Sequence, residues 1–285
     1  MKISKKKSKT KEVEETDLSL PDEPNEPSSS ISDYSILLYG AKKIGKTSLA
    51  ARFPDAFFLA TEPGTKALRV FTRPVRTWKD FDGYIKLLEK KKHDFKTIVV
   101  DTIDNLYEYA FSHVCQKHMI KHPNEQNDYG ATWKEITELF KNGVTRLLNL
   151  PRSPGVIFVS HDTEKEIELR SGDKIDRVQP TMAKQAMSIV EAVVDVIVNY
   201  HYDGKRRFIR LDGAQDIVAG CRIEEHFIRE GGEPRVGGDR IVSIPMGDTA
   251  QEAYDNFIKA FNNEQETVDP EHPPKEKKKL KIKKK

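Results

Sequence analysis

Four short apolar runs, at 35–39, 56–60, 97–101 and 155–160, punctuate the first 160 residues of the chain. They are continuous rather than alternating, and two are rich in Val and Ile, as strands buried on both faces of a parallel sheet require. Stretches with helical periodicity lie between and after them, at 46–52, 77–91, 106–121 and 129–150. Strand and helix in alternation predict an α/β fold around a mainly parallel central sheet. A further helix, around 183–191, leads into a strand at 194–201. The dipeptide Asp203-Gly204 then turns the chain into 206–211, a β-hairpin by pattern. Residues 231–248 are Gly-rich and read as a loop or small hairpin. A terminal helix is expected over 250–261, capped by Thr249, with Tyr254, Phe257, Ile258 and Phe261 on one face.

The ends of the chain break this pattern. Residues 1–11 carry six lysines and no acid, residues 12–33 eight acids and no base, and residues 275–285 eight lysines and one glutamate. The net charge of +3 therefore hides two basic tails on a nearly balanced core. Such segments lack the apolar area to fold alone. The expected organisation is a disordered basic-then-acidic tail (1–33), an α/β core (34–230), a C-terminal loop or hairpin with its helix (231–262), and a disordered Lys-rich tail from Asn262–Asn263 onward. No run approaches 18 consecutive apolar residues, and no apolar segment follows the N-terminal lysines. Neither a membrane span nor a secretory signal is expected. Cys115 and Cys221, far apart in the sequence, read as reduced thiols of a cytoplasmic protein.

Chemistry concentrates after the first strand. Gly40-Ala41-Lys42-Lys43-Ile44-Gly45-Lys46-Thr47 fits G-x-x-x-x-G-K-[ST] at every fixed position, followed by Ser48 at the helix start. Glycines let backbone amides approach phosphates, and the helix N-terminus adds partial positive charge. Lys46 is placed for the β- and γ-phosphates and Thr47 for a Mg²⁺ ion. The second half of such a site is an acid at the end of a buried strand, and the run 97–101 ends in Asp101, a second candidate Mg²⁺ holder. ATP and Mg²⁺ are the implied cofactors. Glu62 lies two residues past the second strand, on the edge where C-terminal strand ends and the loop meet. It is a candidate base for the attacking water; the plain alternative is an exposed loop acid.

The stretch 37–47, the acid at Glu62 and the run Thr-Ile-Val-Val-Asp101-Thr-Ile-Asp-Asn-Leu106 together resemble the RecA-type ATPases. More narrowly, they resemble compact phage RecA-like ATPases of single-strand annealing recombination, grouped with AAA-family phage nucleotide-binding proteins. The resemblance spans roughly residues 34–228. It implies a three-layer RecA-like P-loop NTPase fold with a C-terminal β-hairpin, and ATP hydrolysis in DNA recombination, annealing or replication in a host cytoplasm. It also implies that Glu62 activates water, and that a polar residue ending a later strand contacts the γ-phosphate. Val-Ile-Phe-Val-Ser160-His161 supplies His161 for that role, with a simple strand-end residue as the alternative. The loop departs from the family by holding two glycines with Lys42 and Lys43 between them, and the N-terminal oligomerisation segment of full-length recombinases is not recognisable.

Further readings stay open. Family members complete the site with a cation from a neighbouring subunit, for which Arg207 and Arg210 are candidates in a homo-oligomer. The segment 162–185 stands where the family places a DNA-binding loop and contains Lys165, Arg170, Lys174, Arg177 and Lys184. Its six acids and its alternation at 164–170 and 174–178 suggest a charged hairpin. Lys277, Lys278 and Lys279 of the tail are candidate contacts to single-stranded DNA; a solubilising tail, or one folded onto the acidic stretch, is the alternative. A single-strand-binding or other recombination protein is a further candidate partner. His113, Cys115, His118 and His122 could form a zinc site on one helix, but no second ligand pair follows at the usual spacing. Two other functions compete: a P-loop kinase with Arg170 and Arg177 in a lid, and an ATP-dependent loader or switch that recruits a partner.

Overall fold

The structure is a computed structural model, and it describes residues 20–229, 232 and 239–265. Six strands run mutually parallel: β1 (Ser35–Gly40), β2 (Ala56–Ala60), β3 (Phe71–Pro74), β4 (Thr97–Asp101), β5 (Gly155–Glu168) and, later in the chain, Val196–Asp203. An antiparallel strand, β6 (Lys174–Pro180), returns along the outer half of β5. The remaining strands are β7 (Val196–Asp203), β8 (Arg206–Arg210), β9 (Gly220–Cys221) and β10 (Ser243–Pro245). The order across the sheet is β10-β8-β7-β1-β5-β4-β2-β3.

Neighbouring side chains of a strand point to opposite faces, so each central strand feeds two cores. In β1, Ile36 and Leu38 enter one core and Leu37 the other. The first face is covered by α1 (Lys46–Ala50) through Leu49 and Ala50, and by the C-terminal helix Ala250–Phe261 through Phe257 and Phe261. The second face carries α2 (Trp78–Lys90), α3 (Ile103–Lys117), α4 (Ala131–Leu148) and α5 (Lys184–Val193). The C-terminal helix is thus α6, completing a three-layer α/β architecture. Capping boxes start α2 (Thr77 with Asp80) and α6 (Thr249 with Glu252), the latter at the residue expected from sequence.

Several expectations need correction. The folded region begins upstream of Tyr34: Ile31 and Ser32 are buried, and the Tyr34 hydroxyl donates to Ser28 O at 2.8 Å. It also extends beyond Asn262. Asn263 accepts from Ile228 N and donates to Glu225 O, and Gln265 is buried. Backbone polar groups at both ends find partners in the core, so these residues are held despite polar composition. β5 does not stop at Ser160 but runs fourteen residues to Glu168, so the charged hairpin is its continuation. β3, a mostly exposed edge strand ending in proline, and three-residue β10 carry too little pattern to be read. The lysine tails, including Lys277, Lys278 and Lys279, and parts of the Gly-rich segment lie outside the described residues.

Candidate nucleotide-binding site

The strand order sets the site. β1 lies between β5 and β7, so Gly40 pairs with His161 on one side and Tyr200 on the other. β5 in turn separates β1 from β4, whose Asp101 faces Val159, while Asp101 pairs with Ala60 at the end of β2. The ends of β1, β2 and β4, and the point in β5 where its pairing with β1 stops, therefore present Gly40, Glu62, Asp101 and His161 along one edge, the crevice where open α/β sheets bind ligands. Gly40 has φ +151°, and a Cβ there would fall 2.0 Å from Tyr200 O, so no other residue fits.

A cleft of about 530 Å³ opens at this edge, lined by Lys42, Lys43, Gly45, Lys46, Thr47, Ser48, Glu62, Gly64, Asp101 and His161. Of the loop residues expected to bind nucleotide, Gly40, Ala41 and Ile44 do not line it. Gly40 and Ala41 accept from Lys46 Nζ at 2.7 and 2.9 Å, and the Ile44 side chain is buried in the core. Thr47 Oγ1 donates to Asp101 Oδ2 at 2.8 Å. The pair sets a hydroxyl with free lone pairs beside a carboxylate, the hard oxygen donors that Mg²⁺ prefers, so these residues fit the ion. Gly64 passes over them: a Cβ on it would stand 3.7 Å from both oxygens.

Electrostatics here follow from burial. Asp101 is 4% exposed, and desolvation pushes its pKa up against the lowering effect of the Thr47 hydrogen bond. Desolvation also lowers Lys46, opposed by Asp162, Asp101, Asp104 and Glu62. His161 sits between cation and carboxylate, with Nδ1 3.3 Å from Lys46 Nζ and Nε2 3.6 Å from Glu62 Oε1. An ammonium can only donate, so Nδ1 accepts and the neutral ring carries its proton on Nε2, toward Glu62. Glu62 Oε1 also accepts from Thr102 Oγ1 at 3.2 Å and Asn105 Nδ2 at 3.1 Å.

Sequence reasoning missed Gly64, Thr102, Asn105 and, above all, Asp104. The Asp104 carboxylate takes hydrogen bonds from Ser160 Oγ at 3.0 Å and Thr181 Oγ1 at 2.5 Å. Its position in the first turn of α3, three residues past Asp101, was the available signal.

Other candidates fall elsewhere. Arg207 donates to Gly247 O through Nε and Nη2 and reaches Ile44 O through Nη1 at 3.4 Å. Arg210 Nε donates to Asp212 O. Both guanidinium groups have partners within their own chain, and Arg207 reaches its own phosphate loop at Ile44 O. Lys165, Arg170, Lys174 and Arg177 lie on the β5–β6 hairpin and Lys184 opens α5. They form no single basic face: Lys165 opposes Arg177 on one side, while Lys174 pairs with Glu166 on the other, at 2.8 Å. The His/Cys helix does not converge on a metal. His118 Nε2 meets Glu135 at 2.7 Å, His122 Nδ1 accepts from Asn124 N, and Cys115 is buried. Among the described residues no group of three or more such side chains could hold an ion.

Strand, glycine loop, lysine, hydroxyl and strand-end acid in this geometry define a P-loop nucleotide-binding protein. Residues 32–223 match the family model described as AAA domain, and the chain belongs to that family. A relative is the uncharacterized SPbeta prophage-derived protein YorG of Bacillus subtilis strain 168, 28% identical over 200 residues. The match covers 68% of this chain and 58% of that protein's length. Among solved structures, a KaiC-like protein from the hyperthermophilic archaeon Pyrococcus horikoshii OT3 aligns over 76% of this chain and 87% of its own. Its TM-score is 0.40 at 12% identity. Among the described residues no helix is long and apolar enough to cross a membrane.

Proposed function

We propose that the protein is a Mg²⁺-dependent ATPase. The observation that carries this reading is the joint placement of Lys46, the Thr47–Asp101 pair and Glu62 around one cleft. Lys46 holds the β- and γ-phosphates, trading its contacts with Gly40 O and Ala41 O for phosphate oxygens. Thr47 and Asp101 hold Mg²⁺, which supplies charge neutralisation on the phosphates. Glu62 orients and polarises the attacking water. Its three polar neighbours address Oε1, which leaves Oε2 to accept from that water. His161, between Lys46 and Glu62, is placed to report the γ-phosphate to the base. The nearness of Glu62 to Asp101 and His161 favours hydrolysis over a kinase reaction, for which the lid candidates Arg170 and Arg177 lie out on the hairpin.

The proposed setting is single-stranded DNA in phage recombination, annealing or replication, in a host cytoplasm. Its supports are the family resemblance, the prophage derivation of the Bacillus relative and the lysine tails. A loader or switch that binds ATP and recruits a partner is the second reading, and slow turnover with strong partner capture would favour it. The deciding experiment measures ATP binding and steady-state turnover, with and without Mg²⁺ and single-stranded DNA, for the wild type, Lys46→Ala and Glu62→Gln. Lys46→Ala is expected to lose binding or turnover. Glu62→Gln is expected to bind ATP and lose turnover by ~10²-fold or more, the usual worth of a positioned base. Wild-type turnover in Lys46→Ala would overturn the site assignment, and in Glu62→Gln the role of that acid.

A further inference from the structure

Asp104 holds neither phosphate, ion nor water in the proposed reaction, yet three elements converge on it. It opens α3, directly after the strand that supplies Asp101. From β5 it receives the hydroxyl of Ser160, a side chain that is fully buried. From the root of the β5–β6 hairpin it receives the hydroxyl of Thr181, whose N–H in turn donates to His161 O at 3.0 Å. Both side-chain bonds fall on Oδ1, while Oδ2 is buried without a partner. An ionised carboxylate with one oxygen left bare is a costly thing to keep beside a cleft. Burial accordingly pushes its pKa up.

We propose that Asp104 is a positioning residue for hydrolysis: by clamping Ser160 and Thr181 it fixes the His161 backbone, and so the imidazole between Lys46 and Glu62. The inference rests on the ATPase reading of the cleft. Ser160 and Thr181 flank His161 from two sides, one as its chain neighbour and one across the hairpin root. With Asp104 in place, the Ser160–His161 step of β5 and the hairpin root move as one body against α3. The hairpin is the exposed continuation of the strand that carries His161, so a load on it is passed through this clamp to the imidazole. The side-chain hydrogen bonds of Asp104 run to Ser160 and Thr181, and those of Glu62 and of the Thr47–Asp101 pair run to other groups. Asp104 acts on Lys46 only as one of four nearby acids and shares no hydrogen bond with it, so its removal should act mainly on turnover and not weaken nucleotide affinity.

The test compares Asp104→Asn, Asp104→Ala and Thr181→Val in the full chain. Two quantities are read for each: kcat against the Kd of a fluorescent ATP analogue, and the ¹⁵N shifts of the His161 ring. Asn keeps the Oδ1 acceptor for both hydroxyls and should stay within about threefold of wild-type kcat. Ala should lower kcat by about tenfold to a hundredfold, the scale of a displaced reacting group, with Kd unchanged. Thr181→Val, at an exposed position, should fall between them and add nothing to Asp104→Ala when combined, because both cut one clamp. The His161 signals should show the Nε2–H tautomer in the wild type and in Asp104→Asn, and an averaged ring in Asp104→Ala. An unchanged kcat and tautomer in Asp104→Ala would overturn the proposal. So would Asn as damaging as Ala, which would make the charge itself the agent, or a parallel loss of ATP affinity. A wild type without ATPase activity would sink the hydrolysis reading alone, since the ring signals still test the clamp.

Discussion

Asp101 is held in a conflict that a ligand would resolve. It is almost wholly buried, one hydroxyl bonds it, and desolvation raises its pKa. A raised folded value means the stability belongs to the neutral acid. That contribution is present below the ordinary carboxylate pKa and lost as pH rises through the elevated one. At neutral pH the charge therefore costs folding free energy, and a bound cation offsets it. Asp101→Asn, which mimics the neutral form and still accepts from Thr47, is expected to raise the ligand-free unfolding midpoint by about 2–4 °C, the equivalent of ~1 kcal/mol in a domain of this size. The further rise on adding Mg²⁺ and ATP should shrink. Thermal scans in both conditions check this; a lower ligand-free midpoint for the variant would show that the Lys46 attraction outweighs desolvation. Asp101 was legible in the sequence because the apolar run Ile98-Val99-Val100 leads straight into it. Asp104 was not, because its meaning comes from Ser160 and Thr181, 56 and 77 residues away along the chain.

Among the elements, the β7–β8 hairpin shows how a local reading can find the turn and miss the partners of its side chains. Asp203-Gly204 announces the turn, and the register Asp203↔Arg206 confirms the pairing. The side of β8 that Arg207 takes, and the carbonyls it meets, depend on β10 and on the loop at Gly247, both supplied some 40 residues later. Arg207→Met should loosen the loop from behind, raising the KM for ATP several-fold with a smaller change in kcat. A cis brace also makes a mixing prediction. Combining Arg207→Met with Lys46→Ala chains should recover no more activity than dilution allows, whereas a cation acting between subunits would restore mixed sites. β3 was illegible for the opposite reason. As the edge strand its one neighbour is β2, and three of its four residues are exposed, so no apolar run marks it.

Across the whole molecule, two distant stretches of the described chain, around residues 28–34 and around His226 and Phe261, meet at one place. Tyr34 packs on Phe261, and His226 stacks on the same ring while its two nitrogens approach Phe261 O at 2.8 Å and Ser28 O at 3.1 Å. The last residues of the acidic stretch are thus held beside the end of α6, the helix that precedes the Lys-rich segment in the sequence. This proximity could not be read from the sequence, where the two stretches stand at opposite ends. It sharpens a competition that charge alone suggests: the acids can neutralise the lysines intramolecularly, against phosphates arriving from solution. Removing residues 275–285 is expected to weaken single-stranded DNA binding and leave basal ATPase intact. The salt dependence should flatten by roughly 0.7 in log–log slope for each phosphate no longer neutralised. Removing residues 12–26, which spares the packed segment from Ser28 onward, should tighten DNA binding by freeing the lysines. The double deletion should then match removal of the tail alone. Titrations of a labelled oligonucleotide at several salt concentrations distinguish these cases. If affinity and slope survive removal of the tail, the binding surface lies in the core, and the mixed charges of the β5–β6 hairpin become the place to look.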